Sequence, residues 1–261
     1  MISTMSSGTK LVKQDKLRYW MDPNEHLSGT TVPKLVTAWD DATFTNATYS
    51  SDNQGIYVMS SGGKISFPQT AGSSDQAAGN ASNPLKNIWL NNVDTLNRTM
   101  SAWVYCTSGN SVAIYYSDAS AMSNYDNNWR WSVRSNGNLR FTLNNINNSD
   151  GYYESASSMV DYDAWTYLTM TTEDNGLSGS SRMFILKFYK NGVYVENPSR
   201  TYTQGSSHNF HPGNSPYTAN INRGFLFEGD DHKAGPFYMH DVTLTAAEIK
   251  RNYMQHKSRF Q

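Results

Sequence analysis

Carboxylates are the first side chains in this sequence to suggest chemistry. Cleaving a glycosidic bond needs two of them flanking the bond, about 5 Å apart for retention and further apart for inversion. A strand aims carboxylates into one cleft at alternate positions, and the chain contains no Glu-x-Asp-x-Glu or Glu-x-Asp-x-x-Glu motif. Glu173-Asp174 stands before Asn175-Gly176 and reads as a turn, while Glu154 and Glu196 lack a partner at strand spacing. No catalytic residue is assigned, and the expectation is a protein that is not an enzyme.

Metal and sugar ligands are the next candidates. Glu228-Gly229-Asp230-Asp231-His232 concentrates oxygen donors between two strand-like segments. Calcium prefers clustered carboxylates and carbonyls, so Glu228, Asp230 and Asp231 are candidate Ca2+ ligands, the competing reading being a solvated acidic turn. No cofactor is otherwise required. His208, Asn209 and His211 suggest zinc by type, but third and fourth ligands at suitable spacing are missing. A glycan would need aromatic rings beside amides and carboxylates, rings for stacking and polar groups for orientation. Two segments with loop composition offer that mixture: Tyr125-Asp126-Asn127-Asn128-Trp129 and Asp150-Gly151-Tyr152-Tyr153. Tyr125, Asp126, Asn128, Trp129, Tyr152 and Tyr153 are therefore the candidate ligand-binding residues, against the plainer reading of aromatic packing. The lone Cys106 excludes an intrachain disulfide and reads as a small buried thiol at a strand end.

The elements that must position these groups are almost all strands. Thr99 to Tyr105 alternates, with Met100, Ala102 and Val104 on one face and Trp103 and Tyr105 on the other. Leu17–Trp20, Leu35–Trp39, Gly55–Met59, Lys64–Pro68, Ser111–Tyr116, Trp165–Thr171, Gly224–Phe227 and Phe237–Val242 are further strand candidates. Ser135-Asn136-Gly137 joins Trp129–Val133 to Asn138–Leu143, and Lys190-Asn191-Gly192 joins Met183–Tyr189 to Val193–Val195, each as an Asn-Gly hairpin. Gln69 to Leu85 has little to bury and reads as a long loop. One helix is expected, at about 245–257. Thr245 caps its N-terminus, Glu248 completes a capping box, and Ile249, Tyr253 and Phe260 share a face.

Composition removes whole classes of function. Basic and acidic residues number 21 and 22 with no basic stripe, which gives a nucleic-acid partner no electrostatic support. No segment reaches the roughly 20 apolar residues that span a bilayer, so membrane insertion is not expected. Met1 to Lys10 is rich in Ser and Thr without the apolar core of a signal peptide. The expectation is a chain made in the cytoplasm, with residues 1–16 as a flexible arm ordering on a neighbouring subunit, and 17–261 as one domain.

Four segments in order are similar to the laminin-G-like, concanavalin-A-like jelly roll: Met100–Tyr105, Asp163–Thr169, the Lys187–Val193 hairpin, and the ending Gly235–Tyr253 with its Leu244-Thr-Ala-Ala-Glu-Ile249. The similarity runs from about Leu96 to Tyr253. It implies an all-β fold, an antiparallel two-sheet jelly-roll sandwich with a short C-terminal helix, Trp165 as a core anchor, and a calcium on the rim in some members. With its Asn/Ser/Tyr-rich surface the chain resembles domains in structural proteins of tailed phages. What that resemblance implies is a non-enzymatic virion component, a capsid decoration or a tail or fibre part. Its partners would be major capsid or tail proteins and host surface glycans. Homo-oligomers are expected, because such proteins occupy symmetric positions. A carbohydrate-binding, lectin-like module is the alternative, and a glycoside hydrolase of the same fold the third reading.

Overall fold

Side-chain alternation decides how the strands stack. The computed structural model describes residues 11–25, 29, 31–32, 42–66, 96–118, 129–143, 151–178, 181–198, 200–202 and 223–261. Fifteen strands run in order: β1 (Leu17–Met21), β2 (Thr31–Val32), β3 (Ala42–Ser50), β4 (Ile56–Ser66), β5 (Arg98–Cys106), β6 (Val112–Asp118), β7 (Trp129–Val133), β8 (Asn138–Leu143), β9 (Gly151–Ser158), β10 (Trp165–Ser178), β11 (Ser181–Lys190), β12 (Val193–Glu196), β13 (Arg200–Tyr202), β14 (Arg223–Gly229) and β15 (His232–His240). One helix, α1 (Ala246–Phe260), follows. Every pairing is antiparallel, and the described strands form a two-sheet jelly-roll sandwich.

The first sheet runs β12-β11-β10-β5-β15, with β1 also paired to β15. The second runs β14-β6-β7-β8-β9-β13. β4 belongs to both: Tyr57 to Met59 pair with β15, and Gly63 to Ser66 with β14. Between those halves it turns a corner at Gly62 and Gly63, where the register with β3 also shifts and Asn46 takes φ 48°. A Cβ on Gly63 would stand 2.8 Å from the Asn46 carbonyl oxygen, so the two backbones meet at a bulge that only glycine permits. The sequence shows this bent strand as two separate ones.

Met100, Ala102, Val104, Leu168, Met170, Phe188, Phe237 and Met239 point from the first sheet into the interior. They meet Ile114, Trp131, Val133, Phe141, Leu226 and Phe227 from the second. The outer face of the first sheet is buried as well. There Trp103, Tyr167, Tyr189 and Tyr238 lie beneath Ile249, Tyr253 and Phe260 of α1. The helix starts where the sequence indicates, with both halves of the Thr245–Glu248 capping box formed. Trp103 stacks against Tyr253 and Phe260, its ring centroid 5.7 and 4.7 Å from theirs.

Four expectations change. Trp165 anchors the outer cluster under the end of α1, 4.6 Å from the Phe260 ring centroid, and is only partly buried; among the described residues the fully buried tryptophans are Trp103 and Trp131. Glu173 to Gly176 is a bulge within β10, since the register with β11 shifts between Asp174 and Leu177. Gly151 to Ser158 is a strand, because Tyr153 finds Phe141 across the ladder and Glu154 finds Arg140. Residues 11–16 are tied to this chain. Leu11 is buried in the outer cluster, Val12 N donates to Asn252 Oδ1, His240 Nε2 donates to Val12 O, and Lys13 pairs with Glu248. The strand expected at 35–39 and the loop at 69–85 lie outside the described residues.

Candidate binding surface

The outer face of the second sheet is where the sequence candidates and the geometry meet. In β8 the inward residues Leu139 and Phe141 are buried in the core, so alternation turns Asn138, Arg140 and Thr142 outward. In β9, Tyr152 pairs with Thr142 and Glu154 with Arg140, placing both on the same outer face. Arg140 Nε donates to Glu154 Oε2 at 2.5 Å, and its Nη2 meets the same oxygen. Asn138 Nδ2 donates to Glu154 Oε1 at 3.1 Å. The Arg140 guanidinium also covers the Tyr152 ring, 3.9 Å from its centroid.

This constellation is pre-organised. Both Glu154 oxygens are occupied, and they hold the amide and the guanidinium in place beside the ring. The Arg140 charge is balanced by Glu154, so the platform combines an aromatic surface, an amide and a guanidinium edge without a strong local field. That suits hydroxyl-rich ligands better than highly charged ones. A single carboxylate paired to an arginine does not provide the two opposed carboxylates that glycoside cleavage requires.

The sequence candidates separate on this scaffold. Tyr152 belongs to the outer platform. Tyr153 points the other way, into the core side, with ring centroids 6.5 Å from Phe141 and 5.6 Å from Phe184. Treating the two as one loop pair is therefore corrected: on a strand, neighbours face opposite sides. Trp129 opens β7 with its backbone opposite Leu143. Tyr125, Asp126 and Asn128 lie outside the described residues, in the segment leading into β7, as do His208, Asn209 and His211. Arg140 and Asn138 were missed, although the polar-apolar alternation Asn138-Leu139-Arg140-Phe141-Thr142 marks them as outward.

The acidic turn between β14 and β15 is engaged in holding loops together. Asp230 Oδ1 accepts from Gly62 N at 2.7 Å and from Ser61 Oγ at 3.1 Å. The Asp230 and Asp231 carbonyls accept from Asn110 and Thr107, while Glu228 lies 3.6 Å from Lys64 Nζ. Among the described residues, no group of three His, Cys, Asp or Glu side chains converges as a metal site would need. The ring of His232, next to this turn, is buried, and burial pushes its pKa down to about 4. Cys106 is buried too, and burial pushes its thiol up to about 12, far from a reactive thiolate.

The family model of laminin G type, described as the concanavalin A-like lectin/glucanases superfamily, matches residues 88–250. No curated protein sequence matches the chain. Among solved structures, the receptor-binding domain of botulinum neurotoxin type G is 13% identical with a TM-score of 0.53, the match covering 90% of this chain and 50% of that one. The binding domain of botulinum neurotoxin DC, solved in complex with SialylT, is 15% identical with a TM-score of 0.56, covering 93% and 52%. Trypanosoma rangeli sialidase is 10% identical with a TM-score of 0.57, covering 96% and 34%. At these identities the likeness shows the fold, and the chain spans about half or less of each of these structures. The match over residues 88–250, more than half of the sequence, places the chain in the concanavalin A-like lectin/glucanases superfamily.

Proposed function

We propose that this chain is a non-catalytic, lectin-like module that binds carbohydrate through the outer face of its second sheet. The observation that carries this reading is the Arg140–Tyr152–Glu154–Asn138 platform: an aromatic ring and oriented polar groups fixed on strands rather than on a loop. Superfamily membership and the likeness to receptor-binding domains support a binding role. They favour it over incorporation into a virus particle, which rests on a resemblance to domains of tailed-phage structural proteins.

The test is a glycan array followed by titration calorimetry on the best ligand, with the intact chain and its Tyr152→Ala and Arg140→Met variants. Both variants are expected to lose binding while keeping the fold. Full binding by both would overturn the assignment of this face.

A further inference from the structure

Four of the five large apolar side chains exposed among the described residues gather at one edge of the first sheet. Val193, Tyr194 and Val195 belong to β12 and Met254 to α1 beside it, each 40 to 57% exposed. β12 is the last strand of that sheet and pairs with β11 alone among the described strands. Sheet edges are ordinarily blunted by charge, proline or a covering element. Val193-Tyr194-Val195 carries neither charge nor proline, and Glu196 is committed to a backbone amide, accepting from Ala156 N at 3.0 Å.

The backbone of this edge is open as well. Asn191 and Gly192 both have positive φ, a two-residue turn that makes Lys190 and Val193 its closing pair. A closing pair exchanges its hydrogen bonds, so the next residue, Tyr194, turns its N–H and C=O away from β11 toward the edge. The helix supplies charge. Gly192 lies against Lys250 and Tyr253, and the helical period puts Lys250, Met254 and Lys257 on that same flank of α1. The opposite flank is fastened elsewhere, Asn252 to Val12 and Arg259 to Asp22. Lys250 Nζ meets the Asn191 carbonyl at 3.5 Å, and both lysines reach over the Tyr253 ring, 4.7 and 5.8 Å from its centroid. Neither has a carboxylate partner among the described residues, whereas Lys190 is balanced by Asp161.

We infer that this edge docks an extended peptide segment of another protein, with apolar side chains at alternate positions and Asp or Glu beside them. The main chain of the peptide pairs with the Tyr194 N–H and C=O and so adds a strand to the sheet. Its apolar residues cover Val193, Tyr194, Val195 and Met254, and its carboxylates meet Lys250 and Lys257. A second copy of this chain fits worse. Two β12 strands paired about a two-fold axis would bring Lys250 and Lys257 toward the same lysines of the other copy. A lipid surface would leave the Tyr194 backbone groups unpaired. The inference does not depend on the Tyr152 platform, which lies on the other sheet.

The experiment is selection of a displayed library of random short peptides on the full chain, followed by titration of the recovered peptides by fluorescence anisotropy. The recovered sequences are expected to alternate apolar residues with Asp or Glu. Tyr194→Pro removes the outward donor without touching a bond to β11, while Tyr194→Val keeps it. Proline should weaken binding by about tenfold relative to valine, the equivalent of one lost hydrogen bond. The double variant Lys250→Glu/Lys257→Glu should weaken it by about as much and remove its salt dependence. Val195→Lys, at an exposed position, tests the apolar contact without relying on proline and should weaken binding too. Tyr152→Ala should leave peptide binding intact. Recovery of no peptide, of peptides without acidic residues, or of peptides that bind every variant equally would overturn the inference. So would a dimer in sedimentation that Val195→Lys dissociates. Binding to phosphatidylserine vesicles that the lysine variant abolishes, with no peptide recovered, would assign the edge to a membrane instead.

Discussion

Arg259 Nη1 reaches both carboxylate oxygens of Asp22, at 3.0 and 2.9 Å, across 237 positions of sequence. Both side chains are buried, at 6% and 3% exposure. The same guanidinium donates from Nε to Asn53 O and from Nη2 to Gly55 O. The end of α1 is thereby fastened to the chain that follows β1 and to the turn that precedes β4. Burial pushes the Asp22 carboxyl upward while Arg259 pulls it down, so the pair is held against a desolvation penalty. Removing one partner strands the other charge. Arg259→Met should cost roughly 3 to 5 kcal/mol in urea unfolding, and the double variant Asp22→Leu/Arg259→Met less than the single one. A double variant worse than Arg259→Met would show that the pair is not coupled in this way.

Acid should weaken the fold through histidine. His232 and His240 are held down to about 4 and His256 to about 3, in each case first by burial. Unfolded histidine titrates near 6.5, so below that pH the unfolded chain binds more protons than the folded one, and stability falls as pH falls. The loss runs from about pH 6.5 down toward the folded values, roughly 2 kcal/mol per histidine by pH 5. Asp22 works in the opposite sense, because its raised pKa favours the folded form in acid, and it offsets part of the loss. Urea midpoints at pH 8, 6.5 and 5 should drop in that order, and His256→Met should flatten the profile. A midpoint independent of pH across this range would exclude the mechanism.

Two glycines separate backbone strain from close packing. Gly192 has φ 74° in the turn between β11 and β12, and a Cβ there would stand 2.9 Å from Lys250 Cδ and 3.0 Å from Tyr253 Cβ of α1. Gly109 has φ 85° but open space around it. Gly109→Ala should cost about 1 kcal/mol from conformation alone. Gly192→Ala adds displacement of the helix and should cost about 2 kcal/mol or more. Equal losses in thermal unfolding would mean that the helix does not press on this turn.

What could be read from the sequence was local. The Thr245–Glu248 capping box and the Asn191-Gly192 turn depend on neighbours within a few residues, and both form as their residues dictate, Asn191 and Gly192 each taking positive φ. Ser135-Asn136-Gly137 also makes its hairpin, though only Gly137 is left-handed, giving a three-residue loop in place of a two-residue one. Non-local pairing was beyond reach. Asp150-Gly151 looks like a turn until Phe141 pairs with Tyr153, and Ser60–Gly63 looks like a loop until Asn46 is found opposite the corner. The candidate site divides in the same way. Tyr152 was visible by residue type, but its partnership with Arg140 is set by the β8–β9 register, whose shift between Asn138 and Arg140 no local pattern announces.

That register gives the adjacent tyrosines opposite fates. Tyr152 lies outside, under Arg140, and its removal takes away the proposed binding surface without opening the core. Tyr152→Ala should lower unfolding stability by about 1 kcal/mol or less, the scale of a partly exposed cation–π contact, while removing glycan binding. Tyr153 lies on the inner side, partly buried between Phe141 and Phe184, and Tyr153→Ala should destabilise by roughly 2 kcal/mol through the packing it loses. What remains folded of Tyr153→Ala should still bind, because the platform needs β9 but not this ring. Measuring unfolding and binding on both variants yields a crossed pattern if the faces are assigned correctly. Loss of binding in Tyr153→Ala with its stability intact would place the sugar on the other side of the strand.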